Sequence, residues 1–254
     1  MYDLTDDFLN LDVFDDDSLS LKSKRATCDR CKRPLSVCWC PYLPRQPLQV
    51  QTNIYILQHP FEESRCLRTV PILQNCLEPD KCQVIIGKRF SQTRHPELVS
   101  VLTSPNTVLL YPGEDATDIS SLATDQTYNL VLLDGTWSQA KGIYCQNSIL
   151  KTLKKVQIKC DQKSKYVIRT QPCDSALSTL ETAAIALATL ERQPEIFQTL
   201  THPLVALCNF QLEHGAEEHQ SKEYKVEHGL WTKPLPRSVL NRLARRNAQV
   251  LYNQ

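Results

Sequence analysis

The chain has 254 residues, a formal net charge of +1 and 11 cysteines, enough for one sizeable core with a small appended module. No apolar run approaches the roughly 18 residues of a membrane span, and the acidic start lacks the basic and apolar regions of a secretory signal. An odd, scattered set of cysteines without a disulfide framework fits a reducing compartment and some metal binding, so the expectation is an intracellular protein with no membrane partner. Cytoplasm is expected, with the nucleus left open, because Lys22-Ser23-Lys24-Arg25 is too short for an import signal.

Residues 1–26 alternate acidic and apolar side chains and are expected to form a disordered acidic tail, for which a docking motif for a partner protein is the lesser reading. The first twenty residues hold seven Asp and no Lys, Arg or Glu, so the rest carries 29 basic residues against 28 less 7 acidic ones, a surplus of eight. That surplus is compatible with a polyanionic partner and equally with scattered, solvated charge. Residues 27–45 hold Cys28-x2-Cys31-x6-Cys38-x-Cys40 among turn-formers. Four thiolates at about 2.3 Å from a tetrahedral zinc would order a loop too small to build its own core, so a structural zinc knuckle is expected; free thiols or a redox pair are the alternatives. Arg30, Lys32 and Arg33 inside it are placed either to face phosphates or simply in solvent.

From Asn53 onward, short apolar runs alternate with helical patterns. Strands are predicted at 54–57, 83–86, 107–110, 130–133 and 166–168, and helices at 65–76, 138–150, 177–190 and 195–212. Near-continuous apolar strands in alternation with helices predict an α/β fold, a mostly parallel sheet with helices on both faces. Lys151, Lys154, Lys155, Lys159, Lys163 and Lys165 form one basic stretch; Lys233, Arg237, Arg242, Arg245 and Arg246 form another in a predicted basic C-terminal helix at residues 231–254, its helical run spanning 237–251. The six glycines form neither G-x-G-x-x-G nor a phosphate loop, which argues against ordinary Rossmann nucleotide binding and ATP hydrolysis.

Asp134-Gly135-Thr136-Trp137 closes the apolar run 129–133, where a buried strand should give way to a helix. Ligands of open α/β sheets bind at the carboxyl ends of strands, and a carboxylate there can take a proton or hold a cation. The structural alternative is that Asp134 caps the helix and Trp137 packs in the core. Ser178-Thr179-Leu180-Glu181 reads as a capping box, and a helix N-terminus is also a site for a carboxylate. His59 reads as a packing residue or a ligand contact, and Arg65 as a phosphate clamp or a surface ion pair. His214 and His219 do not match the zinc-protease spacing and look solvated.

These segments together resemble the DTW-domain family. The resemblance is carried by the cysteine cluster, Leu57-Gln58-His59-Pro60 followed by Glu62, Arg65 and Thr69, then Leu109-Leu110-Tyr111-Pro112 with Glu114-Asp115-Ala116. It continues through Leu132-Leu133-Asp134-Gly135-Thr136-Trp137-Ser138-Gln139-Ala140-Lys141, Arg169-Thr170-Gln171-Pro172 and Leu177-Ser178-Thr179-Leu180-Glu181. It runs from Cys28 to about Gly215 and is closest to the second of two animal subfamilies. What it implies is a DTW catalytic domain at residues 46–230 with a SPOUT-like α/β fold, a class in which knots and dimers occur; a homodimer stays open and a knot is not legible in sequence.

The activity implied is transfer of the 3-amino-3-carboxypropyl group from S-adenosyl-L-methionine to N3 of a D-loop uridine in tRNA. On the family pattern Asp134, Thr136 and Trp137 would be catalytic. Leu110, Tyr111, Pro112, Asp134, Leu177, Ser178, Thr179 and Glu181 would bind the donor, His59, Arg65, Lys141 and Arg169 the substrate, and Cys28, Cys31, Cys38 and Cys40 zinc. Asp134 could be the base for N3–H, its orienting group, or the seat of the donor's ammonium. Arg68, Gln171 and Thr182 depart from the commonest family residues, which puts substrate contacts at Arg68 and Gln171 in doubt. An RNA methyltransferase and a non-catalytic, zinc-stabilised RNA-binding protein are the competing expectations.

Overall fold

The computed structural model describes residues 25–123, 125–159, 162–232 and 234. The acidic tail up to residue 24 and the predicted helix 237–251 with its arginines lie outside the described residues. Six strands form one sheet: β1 (Asn53–Gln58), β2 (Cys82–Ile86), β3 (Thr107–Leu110), β4 (Thr117–Asp118), β5 (Asn129–Asp134) and β6 (Lys154–Gln157). Their order is β2-β1-β5-β3-β6-β4 and every pairing is parallel. The eight α-helices among the described residues are α1 (Pro60–Glu63), α2 (Val70–Cys76), α3 (Pro96–Leu102), α4 (Trp137–Gln146), α5 (Ser148–Thr152), α6 (Thr179–Leu190), α7 (Glu195–Glu213) and α8 (Lys222–Glu227).

The strands are apolar throughout because both faces are covered. Side chains alternate across a strand, so Ile54 and Ile56 of β1, Leu130 and Leu132 of β5 and Val156 of β6 join one cluster with Ile72 and Leu73 of α2, Leu180 and Leu187 of α6 and Leu204 of α7. Leu57, Leu109 and Val131 point the other way, onto Leu98 and Leu102 of α3, Ile143 of α4 and Leu150 of α5. A one-residue slip of β5 would exchange these faces. Leu130, on a central strand, is wholly buried; Leu130→Ala is expected to cost about 2–5 kcal/mol, read as a lower denaturation midpoint with an unchanged slope. A change below about 1 kcal/mol would contradict its place in the core.

Three local expectations are corrected, and one strand is added. The helix expected from Arg65 begins only at Val70, because Pro71 in its first turn has no N–H and suits a helix start. The helix expected over 138–150 breaks at Asn147, whose buried side chain donates to Ile143 O (2.7 Å) and Lys88 O (2.9 Å) and accepts from Phe90 N (2.7 Å). That side chain ties the loop after β2 to the helix pair at the expense of helix continuity. Residues 166–168 are not a strand: Tyr166 and Ile168 are buried from a turn, the Tyr166 hydroxyl donating to Leu67 O, and Val167 O accepts from His219 N. The last long strand is instead β6, inside the lysine-rich stretch, with Val156 its one buried residue.

Candidate active site

The chain leaves β1 toward β2 on one side and β5 toward β6 on the other. Between β1 and β5 a crevice therefore opens at the carboxyl ends, where parallel α/β sheets bind ligands. The register pairs Gln58 with Asp134, the last residues of the two strands. Both are buried, at 3% and 8% exposure. Gln58 Nε2 donates to Asp134 Oδ2 at 2.8 Å, and Thr179 Oγ1 donates to Oδ1 at 2.6 Å. Each carboxylate oxygen thus accepts one bond and keeps capacity for another. The carboxylate is locked in place by a neighbouring strand and by the first residue of α6.

Two helices start at this carboxylate. Thr136 caps α4: its hydroxyl accepts from Gln139 N (3.3 Å) and its N–H donates to Gln139 Oε1 (2.7 Å). Gly135 makes that box possible, because a Cβ there would stand 3.0 Å from Gln139 Cβ. Ser178 caps α6 in the same way with Glu181. Glu181 is almost wholly buried, and its carboxylate accepts from Ser178 N, Ser178 Oγ, Ser164 Oγ and Lys165 N. Those four bonds make Glu181 the tie between the helix start and the 164–165 loop. The first-turn N–H groups of Thr179 and Leu180 have no intrahelical partner, as in any helix start.

On the β1 side, His59 N donates to Asp134 O (2.9 Å), and His59 caps α1 by accepting from Phe61 N at Nδ1 (3.2 Å). That acceptance leaves the ring proton on Nε2. Burial first, then the nearby Lys88 charge, lowers the His59 pKa from the usual imidazole value. A pKa depressed by folding contributes stability that is present above the unfolded value near 6.5 and is lost as pH falls through it toward the folded value. His59→Asn keeps a cap-forming side chain, so its melting temperature is expected to fall less than that of the parent chain between pH 7.5 and 5.5. Parallel pH profiles would contradict the buried, neutral imidazole. Glu62, one turn on, is buried at 5% exposure with Arg65 Nε 3.1 Å from its Oε1. Burial pushes the Glu62 carboxyl up; Arg65 and Arg169 pull it down and Asp134 pushes it further up, so all four share one electrostatic neighbourhood.

Of the site residues named from sequence, the structure brings together His59, Arg65, Asp134, Arg169, Ser178, Thr179 and Glu181. Leu110 ends β3, the strand on the far side of β5, and Tyr111 and Pro112 follow it, with Tyr111 stacked on Tyr144 of α4 (4.5 Å, 14°). Leu177 is half-buried just before the α6 cap. Trp137 is not a core residue: it is 53% exposed at the start of α4, with exposed Lys141 one turn along the same face. Sequence reasoning gave no role to Gln58, Glu62 or Phe61. Phe61 is 64% exposed, in edge contact with the His59 ring and with Lys88 Nζ 5.1 Å from its centroid. The polar end of an apolar strand signals Gln58 only once β1 is known to pair with β5. A cavity of about 410 Å³ between Tyr42 and α7 shares none of these residues; Lys165 Nζ beside it is satisfied by Gln198 and Thr201.

The cysteine loop makes a second centre. The sulfurs of Cys28, Cys31, Cys38 and Cys40 lie within 4.8 Å of one another, with Cys28–Cys40 at 3.7 Å and Cys31–Cys38 at 3.6 Å. A tetrahedral zinc with bonds of about 2.3 Å sets sulfurs about 3.8 Å apart, so the spacing fits. Backbone N–H groups of Cys31 and Arg30 lower the Cys28 thiol pKa to about 6, whereas burial pushes the Cys38 and Cys40 thiols up, so deprotonation of the whole set would accompany metal binding. Lys32 adopts a left-handed φ of 59° as the loop turns, and Trp39 anchors it in the core. Arg30 is spent on Asn75 (2.7 and 3.0 Å) and Arg33 on Val37 O (3.0 Å), which ties both to the protein. Lys155 pairs with Asp115 and Lys159 with Asp118 (3.9 Å), leaving Lys151, Lys154 and Lys163 as the exposed members of the basic stretch without such a tie among the described residues.

Fold and site define a parallel α/β protein with a polar strand-end site and a four-thiol centre at its N-terminal side. A family model described as the DTW domain matches residues 25–212. The chain is 50% identical over 233 residues, 91% of its length and 77% of the relative's, to a Mus musculus protein named tRNA-uridine aminocarboxypropyltransferase 2. It is 49% identical to a Drosophila melanogaster protein of the same name, across 89% of this chain and 90% of that one. An Arabidopsis thaliana protein named tRNA-uridine aminocarboxypropyltransferase A is 25% identical over 226 residues, covering 77% of this chain and 84% of the relative. No solved structure matches. The chain belongs to the DTW-domain family, on the branch of the two animal relatives.

Proposed function

We propose that this protein is a tRNA-uridine aminocarboxypropyltransferase, which moves the 3-amino-3-carboxypropyl group of S-adenosyl-L-methionine to N3 of a D-loop uridine. The observation that carries the reading is the buried Asp134 carboxylate, fixed by Gln58 and Thr179 at a strand end in a chain half identical to relatives of that name. The N3–C bond forms as the C–S bond breaks; sulfur keeps the electron pair and leaves as methylthioadenosine. When bound, the donor supplies a methylene made electrophilic by its sulfonium.

The chain's residues then have distinct tasks. Uridine N3–H has a pKa on the order of 9, so its removal near neutral pH calls for a positioned acceptor. Asp134 is that acceptor, because each of its oxygens has a place for a further bond. The first-turn N–H groups of α6, with Thr179 already on Asp134, favour negative charge at this end of the crevice. Exposed Trp137 and Phe61, with Lys88 and Lys141, offer stacking faces and charge for a single-stranded nucleotide and its phosphates. The four cysteines hold a structural zinc, with no ligand position left for chemistry.

The test is to incubate the protein with S-adenosyl-L-methionine and unmodified tRNA, digest to nucleosides and weigh the uridines. A gain of one aminocarboxypropyl group is expected. A gain of one methyl group would replace the reaction with methylation, and tight tRNA binding without any gain would make the protein a binding module.

A further inference from the structure

Among the described residues, the buried side-chain atoms lacking a hydrogen-bond partner are Glu62 Oε1 and Trp231 Nε1. Glu62 is the unusual one. Its Oε1 lies 3.1 Å from Arg65 Nε, yet the Arg65 N–H is not directed at it and no hydrogen bond forms. A carboxylate oxygen withdrawn from water with nothing to accept from is costly, and such a group calls for a missing partner. It stands at the crevice already described: Glu62 N donates to His59 O and His59 N to Asp134 O (both 2.9 Å), which sets Glu62 one turn past the strand end, within reach of the charges of Asp134 and Arg169.

The chemistry of that missing partner can be read from the neighbours. An anion in want of a donor, with guanidinium groups close by, matches a ligand that carries a positive and a negative group on one carbon. An α-amino-acid head has that character. Asp134 is assigned above to the uridine N3–H, which commits the capacity its oxygens keep beyond Gln58 and Thr179, whereas Glu62 Oε1 has no hydrogen-bond donor at all. We propose that Glu62 Oε1 accepts from the α-ammonium of the donor's amino-acid head, with the Arg65 guanidinium beside it taking the α-carboxylate.

This rests on the donor proposed above and divides the acids of the site: Glu62 for the transferred group, Asp134 for the uridine. It also gives a physical reason for choosing the methylene over the methyl. A donor gripped by its amino-acid head has that end held still, and orientation of the reacting carbon is what selects it.

The test compares two ligands, S-adenosyl-L-methionine and methylthioadenosine, which lacks the amino-acid head, by calorimetric titration of the full chain and its Glu62→Gln and Glu62→Asp variants. Loss of one charged hydrogen bond weakens binding roughly 10- to 100-fold. That loss is expected for S-adenosyl-L-methionine in Glu62→Gln, with methylthioadenosine affinity unchanged and part of the loss recovered in Glu62→Asp. Equal weakening of both ligands, or of neither, overturns the role of Glu62 while the donor stands. A parent chain that binds neither ligand overturns the donor and this inference together. Should Glu62→Gln fail to fold, Glu62→Asp carries the comparison: the shorter acid should weaken S-adenosyl-L-methionine alone.

Discussion

Asp134→Asn is expected to lower transfer to tRNA roughly 100- to 10,000-fold, the span that one positioned proton acceptor contributes. The change preserves size and most of the local bonding. An Asn oxygen can still accept from the Thr179 hydroxyl, and the Gln58 amide can turn to present its oxygen to the new NH₂. The melting temperature should therefore move by only a few degrees, and binding of methylthioadenosine should survive. Initial rates with saturating tRNA, beside thermal unfolding, separate these outcomes. Activity within about tenfold of the parent would remove Asp134 from the proton path. An equal loss of rate and of folding would make its bonds to β1 and α6 structural.

The second large effect belongs to the thiol centre. If the proposed zinc is bound, its chelation, like Cys38→Ser, should loosen the cysteine loop and with it Trp39, which is 2% exposed in the main core. Losing a buried Trp side chain costs about 3–5 kcal/mol. In a domain of this size each kcal/mol lowers the melting temperature by roughly 2–4 °C, so a fall on the order of 10 °C is expected. Metal content measured beside the melting curve checks the link. Zinc has no open position in a four-thiol set, so residual activity per folded molecule should stay near the parent value. A metal-free chain that melts at the parent temperature would contradict a structural metal.

The parts of the fold that could be read from sequence are those whose signal is local. β3 and β5 are continuous apolar runs, and α6 and α7 have strong helical periodicity with Ser178–Glu181 marking a start. β6 escaped because Lys154-Lys155-Val156-Gln157 buries a single residue; its strand character comes from pairing with β3, more than forty residues earlier. Residues 166–168 misled for the opposite reason, since three apolar side chains can be buried from a turn as well as from a strand. The same division holds at the site. The Asp134 turn and the Ser178 cap were legible because a strand end and a capping box each lie within four residues; the other cap was not, since the sequence offered Asp134 for it and Thr136 makes it. Gln58 and Glu62 were not, because their meaning depends on β1 lying beside β5, 76 residues away. Exposure of Trp137 was equally illegible, since the residue that opens a helix can face either way.

The most direct measurement uses two labelled donors in parallel, one carrying its label in the carboxyl carbon and one in the methyl. After reaction with unmodified tRNA and removal of free donor, the carboxyl label should appear in the RNA and the methyl label should leave with methylthioadenosine. Methyl label in the RNA, without carboxyl label, would contradict aminocarboxypropyl transfer by this site.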